Sequence, residues 1–281
     1  MAFSRRFLCD TAFKAAISVP LWMQAGLARA SQNYPQPGSS LPSLAQKPRQ
    51  ARLVVIDPGH GGRDPGCIGS GQVYEKNIVL DTALDLNRML QQAGYQTMMT
   101  RQSDVFVPLQ DRVDFAERHR ASLFVSVHAN SIVANPGIRG ASVYTFSPDP
   151  SDPLAAEIAR SENSVETITM PAFKGVSPQV SKILFSLMSQ STKTQSVLAQ
   201  QKMVGALSQQ VGMLQNPARK ATFAVLQSSA IPSILVETAF LSNPQDEAEL
   251  RTLAFRMRLA GSMKSAIDAW FIARNHALDN I

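Results

Sequence analysis

The sequence predicts an α/β fold: a mostly parallel twisted sheet with helices on both faces, and a helical insertion near the site that the strand ends would build. Three observations predict it. Short, nearly continuous apolar runs, LVVI at 53–56, LFVSV at 123–127 and ILV at 234–236, suit strands buried on both faces. Segments of helical periodicity separate them, and strands alternating with helices imply a parallel sheet covered on both sides. Glycine, proline and asparagine stand where one kind of segment gives way to the other.

In order, residues 53 to 57 read as the first strand, and a glycine-rich loop runs from it to Tyr74. EKNIVLDTALDLNRMLQQAG then places Ile78, Leu80, Leu84, Leu86 and Leu90 near helical spacing, with Gly94 as the stop. YQTMMT is the next strand, and PLQDRVDFAERHR is a helix opened by Pro108. SLFVSVHAN is a buried strand ending at His128, and ASVYTF another. A mainly helical region follows from about Asp152 to Gln215, within an insertion of about residues 151–216. TFAVL and SILVE are the last two strands, and NPQDEAELRTL opens the C-terminal helices with Asn243 as cap and Pro244 in the first turn.

Residues 1–30 read as an export signal. Arg5 and Arg6 precede an apolar stretch from Ala12 to Leu27, and ARA ends at Ala30 with small residues at a cleavage site. The pattern resembles a twin-arginine signal, with an ordinary secretory signal as the alternative; either leads out of the cytoplasm. Lys14 and Pro20 interrupt the run, which is short for a membrane span. Residues 31–50, rich in Pro, Ser, Gln and Gly, read as a flexible linker, leaving 51–275 as one catalytic domain. Removal of the signal takes away four basic residues and one acid, so the formal charge falls from +6 to +3. That is too mild to argue for nucleic acid. Cys9 also leaves, and Cys67 alone cannot form an intramolecular disulfide.

Three apolar strands end in residues that bind metals or move protons: His60, His128 and Glu237. In a parallel sheet those ends share one edge, where open α/β sheets place their ligands. Glu75 begins the helix after the first strand and returns to the same edge. Two histidines and a carboxylate suffice for catalytic zinc, which needs three protein ligands and an open position. Glycines around His60 allow the sharp turn that aims its ring inward. Each residue alone has a plainer explanation: a hydrogen-bonded structural histidine, a helix-capping glutamate, a core carboxylate paired with arginine. Their coincidence carries the reading. Asp57 is assigned to the turn, bonding loop amides; His119 and His276 are assigned to the surface; Cys67 is a rival ligand that would leave both glutamates unexplained. The residues alone do not decide which glutamate binds metal. GHGGRDPG is not a dinucleotide fingerprint, and neither a nucleophile elbow nor a phosphate-binding loop is present.

VVIDPGHGGRDPGCIG, YEKNIVL, SVHAN and FAVLQSSAIPSILVETAFLSNPQDE, in that order, resemble the zinc-dependent N-acetylmuramoyl-L-alanine amidases that cut bacterial peptidoglycan during cell separation. The resemblance covers about residues 52–273. It implies that His60, Glu75 and His128 bind zinc and that Glu237 is the catalytic carboxylate. It also implies a periplasmic enzyme that cleaves the amide between N-acetylmuramic acid and L-alanine. The other readings on these residues are a zinc peptidase or deacetylase acting on another wall bond, and a wall-binding or division protein without catalysis.

The stretch DPLAAEIARSENSVETI, at 152–168, is amphipathic, with Leu154, Ala155, Ile158, Ala159, Val165 and Ile168 on one stripe. Glu162 falls within that stripe, and Glu157 and Glu166 at its margins. A carboxylate on a buried face is costly without a partner. Family members from dividing Gram-negative bacteria resemble this layout: an inserted helix covers the site, a glutamate fills the open zinc position, and a LytM-type activator displaces it. The resemblance makes Glu162 that autoinhibitory residue. Apolar Ile183, Leu184, Leu187 and Met188 are candidates for the activator's docking surface. TITMPAFKGVSPQ lacks the acidic residues that regulated members usually carry there. With about twenty tether residues ahead of the catalytic domain, no separate wall-targeting domain is expected, and recruitment comes from elsewhere.

Overall fold

Six strands form one sheet in the order β2-β1-β3-β6-β4-β5, in a computed structural model that describes residues 52–169, 177–188 and 190–279. The strands are β1 (Leu53–Pro58), β2 (Gln96–Met99), β3 (Leu123–Asn130), β4 (Ala141–Phe146), β5 (Met213–Ala221) and β6 (Ser233–Phe240). The helices are α1 (Glu75–Gln92), α2 (Leu109–Arg118), α3 (Pro153–Thr169), α4 (Pro178–Leu187), α5 (Gln190–Leu207), α6 (Pro244–Leu250) and α7 (Leu253–Asp279). The expected signal and linker lie outside the described residues. Among the described residues, no helix is long and apolar enough to cross a membrane.

Strands β2, β1, β3 and β6 pair in parallel, as do β4 and β5, while β4 meets β6 antiparallel. The sheet is therefore mixed: β4 follows β3 through a loop without a crossover helix, so it returns in the opposite sense. The apolar runs are unbroken because alternate residues face different helical layers. Val54, Ile56, Val125 and Val127 share one core cluster with Leu86 of α1, Met203 of α5 and Trp270 of α7. Val55, Phe124 and Leu235 share the other with Ala116 of α2, Ile158 of α3 and Phe223.

Four expectations are corrected. TFAVL is not a strand: Phe223 is buried and Ala224–Leu226 make one 3-10 turn, apolar because it packs against the second cluster. The strand is β5, polar MLQNPARKA, which starts inside the region expected to be helical and runs past its end; α5 stops at Leu207. β5 is the edge of the sheet, where charged residues and proline belong. Leu84 is 36% exposed, and Leu80 is only half-buried. Buried Ile78, Val79, Ala83, Leu86 and Leu90 span an arc of roughly 140°, and at about 100° per residue Leu84 falls well beyond it. His128 and Glu237 also do not end their strands, since β3 runs on to Asn130 and β6 to Phe240.

Candidate metal centre

β1, β3 and β6 are neighbours and parallel, so their carboxyl-terminal halves build one rim. His60 lies two residues past β1 with φ of +60°, an uncommon backbone for a residue with a Cβ. Two buried arginines hold it there. Arg112 donates to the carbonyls of Pro58 at 2.7 Å and His60 at 2.8 Å. Arg101 donates to those of Pro58 at 3.0 Å and Gly59 at 2.7 Å. Position 59 must be glycine because a Cβ there would stand 2.3 Å from Cε1 of His128. Asp64 accepts the Nδ1 proton of His60 at 2.8 Å and also accepts from the amide of Gly66. That bond fixes the ring and its tautomer, leaving Nε2 turned inward.

Asp57 does not serve the turn. It lies within β1, fully buried, and accepts from Thr100 Oγ1 at 2.5 Å, Ser126 Oγ at 2.7 Å and Arg112 Nη1 at 2.8 Å. Burial opposes its charge, but the Arg112 guanidinium and the two hydroxyls outweigh burial and hold the carboxyl below its ordinary value. Loop amide bonding falls to Asp64 instead, because the strand has not yet ended at residue 57.

His128 comes from β3 and Glu75 is the first residue of α1. Glu75 is oriented by two backbone donors: the amide of Ala129 to Oε1 at 2.9 Å and that of Cys67 to Oε2 at 3.0 Å. Oε1 then lies 3.0 Å from His60 Nε2 and 3.2 Å from His128 Nδ1. Glu162, reaching in from α3, sets Oε2 at 3.3 Å and 3.1 Å from the same two nitrogens. One ligand atom from each of the four residues lies within 4.8 Å of the others. The imidazole centroids are 4.9 Å apart, with ring planes at 74°.

His60 Nε2, His128 Nδ1 and Glu162 Oε2 are buried and make no hydrogen bond among the described residues. Buried polar atoms normally find partners. Two imidazole nitrogens left orphaned and converging with carboxylate oxygens have the donor chemistry of a divalent cation site, and the mixed N and O set fits zinc. The charges agree. Burial disfavours protonated His60, but Glu75 and Glu162 raise it well above its usual value. Burial likewise opposes His128, which Glu162 and Glu75 push up to about 10. Burial would raise both glutamates, yet the imidazoles hold Glu75 well below, and Glu162 below, the ordinary carboxylate value. The carboxylates thus favour positive charge at this point, which a divalent ion would supply.

Glu237 stands in register with His128 on the adjoining strand, fully buried, and neither carboxylate oxygen has a partner among the described residues. Burial and the charges of Glu162 and Glu75, outweighing the pull of the imidazoles, push its carboxyl well above the ordinary value. Carboxyls whose affinities for protons are driven apart within one site are suited to proton transfer. Cys67 stands outside the ligand group: burial raises its thiol, which donates to the Ala129 carbonyl at 3.0 Å. His119 and His276 are exposed.

On α3, Ala155, Ile158 and Ala159 are buried and Glu157 is exposed; the side chains of Val165, Glu166 and Ile168 lie outside the described residues. The helix is tied down by Asn163, whose amide donates to the Thr222 carbonyl at 2.7 Å and accepts from the Ala224 amide at 2.8 Å. Of the apolar residues expected to form a docking surface, Ile183 is exposed, Met188 is buried, and the side chains of Leu184 and Leu187 lie outside the described residues. Met188 packs into the second core cluster and is unavailable to a partner. Sequence reasoning missed Asp64, Arg101, Arg112 and Asn163. Only Asp64, four residues past His60 in the same loop, carried a local signal.

Residues 54–269 match the family described as N-acetylmuramoyl-L-alanine amidase. The N-acetylmuramoyl-L-alanine amidase AmiA of Salmonella typhimurium is 34% identical over 244 residues, which are 86% of this chain and 82% of that one. AmiC of Escherichia coli O6:H1 is 35% identical over 243 residues, 86% of this chain and 56% of that one. Among solved structures, the amidase AmiC2 of Nostoc punctiforme is similar with a TM-score of 0.56 and 28% identity, covering 78% of this chain and 96% of its own. Ami1 from Mycobacterium smegmatis shares the fold, with a TM-score of 0.60 at 20% identity over 79% of this chain and 97% of its own.

Proposed function

Because the chain belongs to the N-acetylmuramoyl-L-alanine amidase family, and is thus a peptidoglycan hydrolase of that class, we propose that it works with one zinc ion held by His60, Glu75 and His128. The bond cut joins the lactyl group of N-acetylmuramic acid to L-alanine. The observation that carries this reading is the convergence of orphaned ligand atoms beside the unpartnered carboxyl of Glu237. When bound, zinc supplies Lewis acidity that polarises the scissile carbonyl and lowers the pKa of water towards ~7. Glu237 takes the proton of the attacking water on a carboxylate oxygen and returns it to the leaving amine, a role worth roughly 10² to 10⁴ in rate. Asp64 and the two arginines hold His60 in place while this happens.

Glu162 is the regulatory element of this reading. Its Oε2 shares both imidazole nitrogens with Glu75, which supports a role in filling the position that water or substrate needs. Displacement of α3 by a LytM-type activator then frees the site. The enzyme is exported by the twin-arginine pathway to the periplasm and acts in daughter-cell separation; the paired Arg5 and Arg6 and the resemblance to AmiA and AmiC support these statements.

Digestion of purified peptidoglycan, with new ends identified by mass spectrometry, tests the chemistry. The zinc-loaded chain releases stem peptides with a free L-alanine amine, and a chelator abolishes release. New ends at any other bond would contradict the reading. Glu162→Ala raises activity in the absence of any activator; unchanged basal activity removes the autoinhibitory role.

A further inference from the structure

A cavity of about 340 Å³ opens beside the metal ligands, its wall passing through His60, Arg63, Gly66, Ser131 and Glu162. This volume suits a small part of a larger ligand. Its polar lining carries one formal cation, Arg63, on a tight turn. Gly61 and Asp64 exchange two backbone hydrogen bonds across it, at 2.9 and 3.1 Å, with Gly62 and Arg63 at the tip. The turn is pinned from outside: Asp104 accepts from the Gly62 amide at 2.7 Å, and Lys76 donates to the Gly62 carbonyl at 2.8 Å. The Arg63 guanidinium lies over the ring of Phe106, 4.5 Å from its centroid, which restricts the side chain without neutralising it.

The nearby acids are engaged. Asp104 is paired with Lys76 at 2.7 Å. Asp64 holds the His60 ring and the Gly66 amide. Among the described residues Arg63 has no acidic partner; it is an exposed residue of the cavity wall, three residues from a proposed metal ligand, with its guanidinium held over Phe106. A guanidinium in this setting recognises a carboxylate by charge-assisted hydrogen bonds.

Resting on the amidase reading, we propose that Arg63 is a specificity-determining residue that binds a free carboxylate of the stem peptide close to the scissile amide. The chemistry of the substrate provides one. A glutamate joined to the next residue through its side-chain carboxyl keeps its α-carboxylate free, and in the stem peptide such a glutamate follows the L-alanine whose amine is released. Where that carboxylate is amidated, the guanidinium loses its partner.

The test uses two muropeptides that differ only in carboxylate or carboxamide at this glutamate, cleaved by the full zinc-loaded chain and again in the Glu162→Ala background. The wild-type chain favours the carboxylate form by roughly 10- to 100-fold in kcat/KM, chiefly through KM. Arg63→Ala removes the preference, Arg63→Lys keeps part of it, and Arg63→Glu reverses it, all with unchanged zinc content and melting temperature. A preference that survives Arg63→Ala, or an equal loss on both substrates, overturns the assignment and leaves the amidase reading standing. Failure of the wild type and the Glu162→Ala chain to cleave either substrate overturns both.

Discussion

Asp64 decides which nitrogen of His60 faces the proposed metal position, because a carboxylate accepting from Nδ1 leaves only Nε2 free to act as a ligand. Asp64→Ala is therefore expected to weaken zinc affinity by roughly 10- to 100-fold, measured by competition with a chromogenic chelator. Affinity within twofold of wild type would contradict this role. Glu237 predicts the opposite separation. Glu237→Gln keeps the metal and the fold but lowers kcat by roughly 10² to 10⁴; a loss of less than tenfold would remove Glu237 from proton transfer. The sequence drew attention to both histidines and all three glutamates that meet here, since each follows or ends an apolar run, starts a helix or lies on an otherwise apolar stripe; the division of roles among them came only from the family resemblance. Asp57 was misread because the same pattern, an acid after an apolar run, describes a turn acceptor and a buried ion pair equally well.

Between elements, Asp57 and Arg112 join β1 to α2 behind the His60 loop with no solvent contact to speak of. The folded-state pKa of Asp57 is depressed, so its contribution is fully present above the unfolded value near ~3.9 and is lost as pH falls through the lower folded value. Asp57→Asn should cost on the order of 3 kcal/mol at pH 7, since Arg112 is left buried and uncompensated. In urea melts the gap to wild type narrows below about pH 4; an equal gap at pH 7 and pH 3 would show that the ion pair is not its source. At the far end of β6, Asn243 caps α6 by accepting from the amides of Gln245 and Asp246. This helix supplies Glu247, which accepts from Ser70 and Gly71 in the loop ahead of Glu75. Asn243→Ala should cost about 1 kcal/mol and lower the melting temperature by roughly 2–4 °C. A melting curve identical to wild type would count against the cap. The cap was readable from Asn-Pro, whereas the anchoring of a distant loop by Glu247 was not, because nothing local to residue 247 specifies a partner near residue 70.

Across the whole molecule, what could be read in advance was whatever burial imposes on a continuous segment. Strands β1, β3 and β6 are covered on both faces and so appear as unbroken apolar runs. β5 escaped because an edge strand meets solvent and carries the arginine, lysine and proline that suit an edge, while buried Phe223, Val225 and Leu226 imitated a strand. The arginine clamp on His60 escaped for a related reason: Arg101 and Arg112 act on backbone carbonyls, which no side-chain pattern announces. The fold then does what the sequence could only imply, bringing His60 from the loop after β1, Glu75 of α1, His128 of β3 and Glu162 of α3 within 4.8 Å of one another, with Glu237 of β6 in register beside His128. That convergence is tested most directly by elemental analysis of the purified chain after extensive dialysis. One zinc per chain is expected in wild type and little or none in His60→Ala or His128→Ala of matched folding. Full zinc content in both variants, or none in wild type even after zinc is supplied, would contradict it.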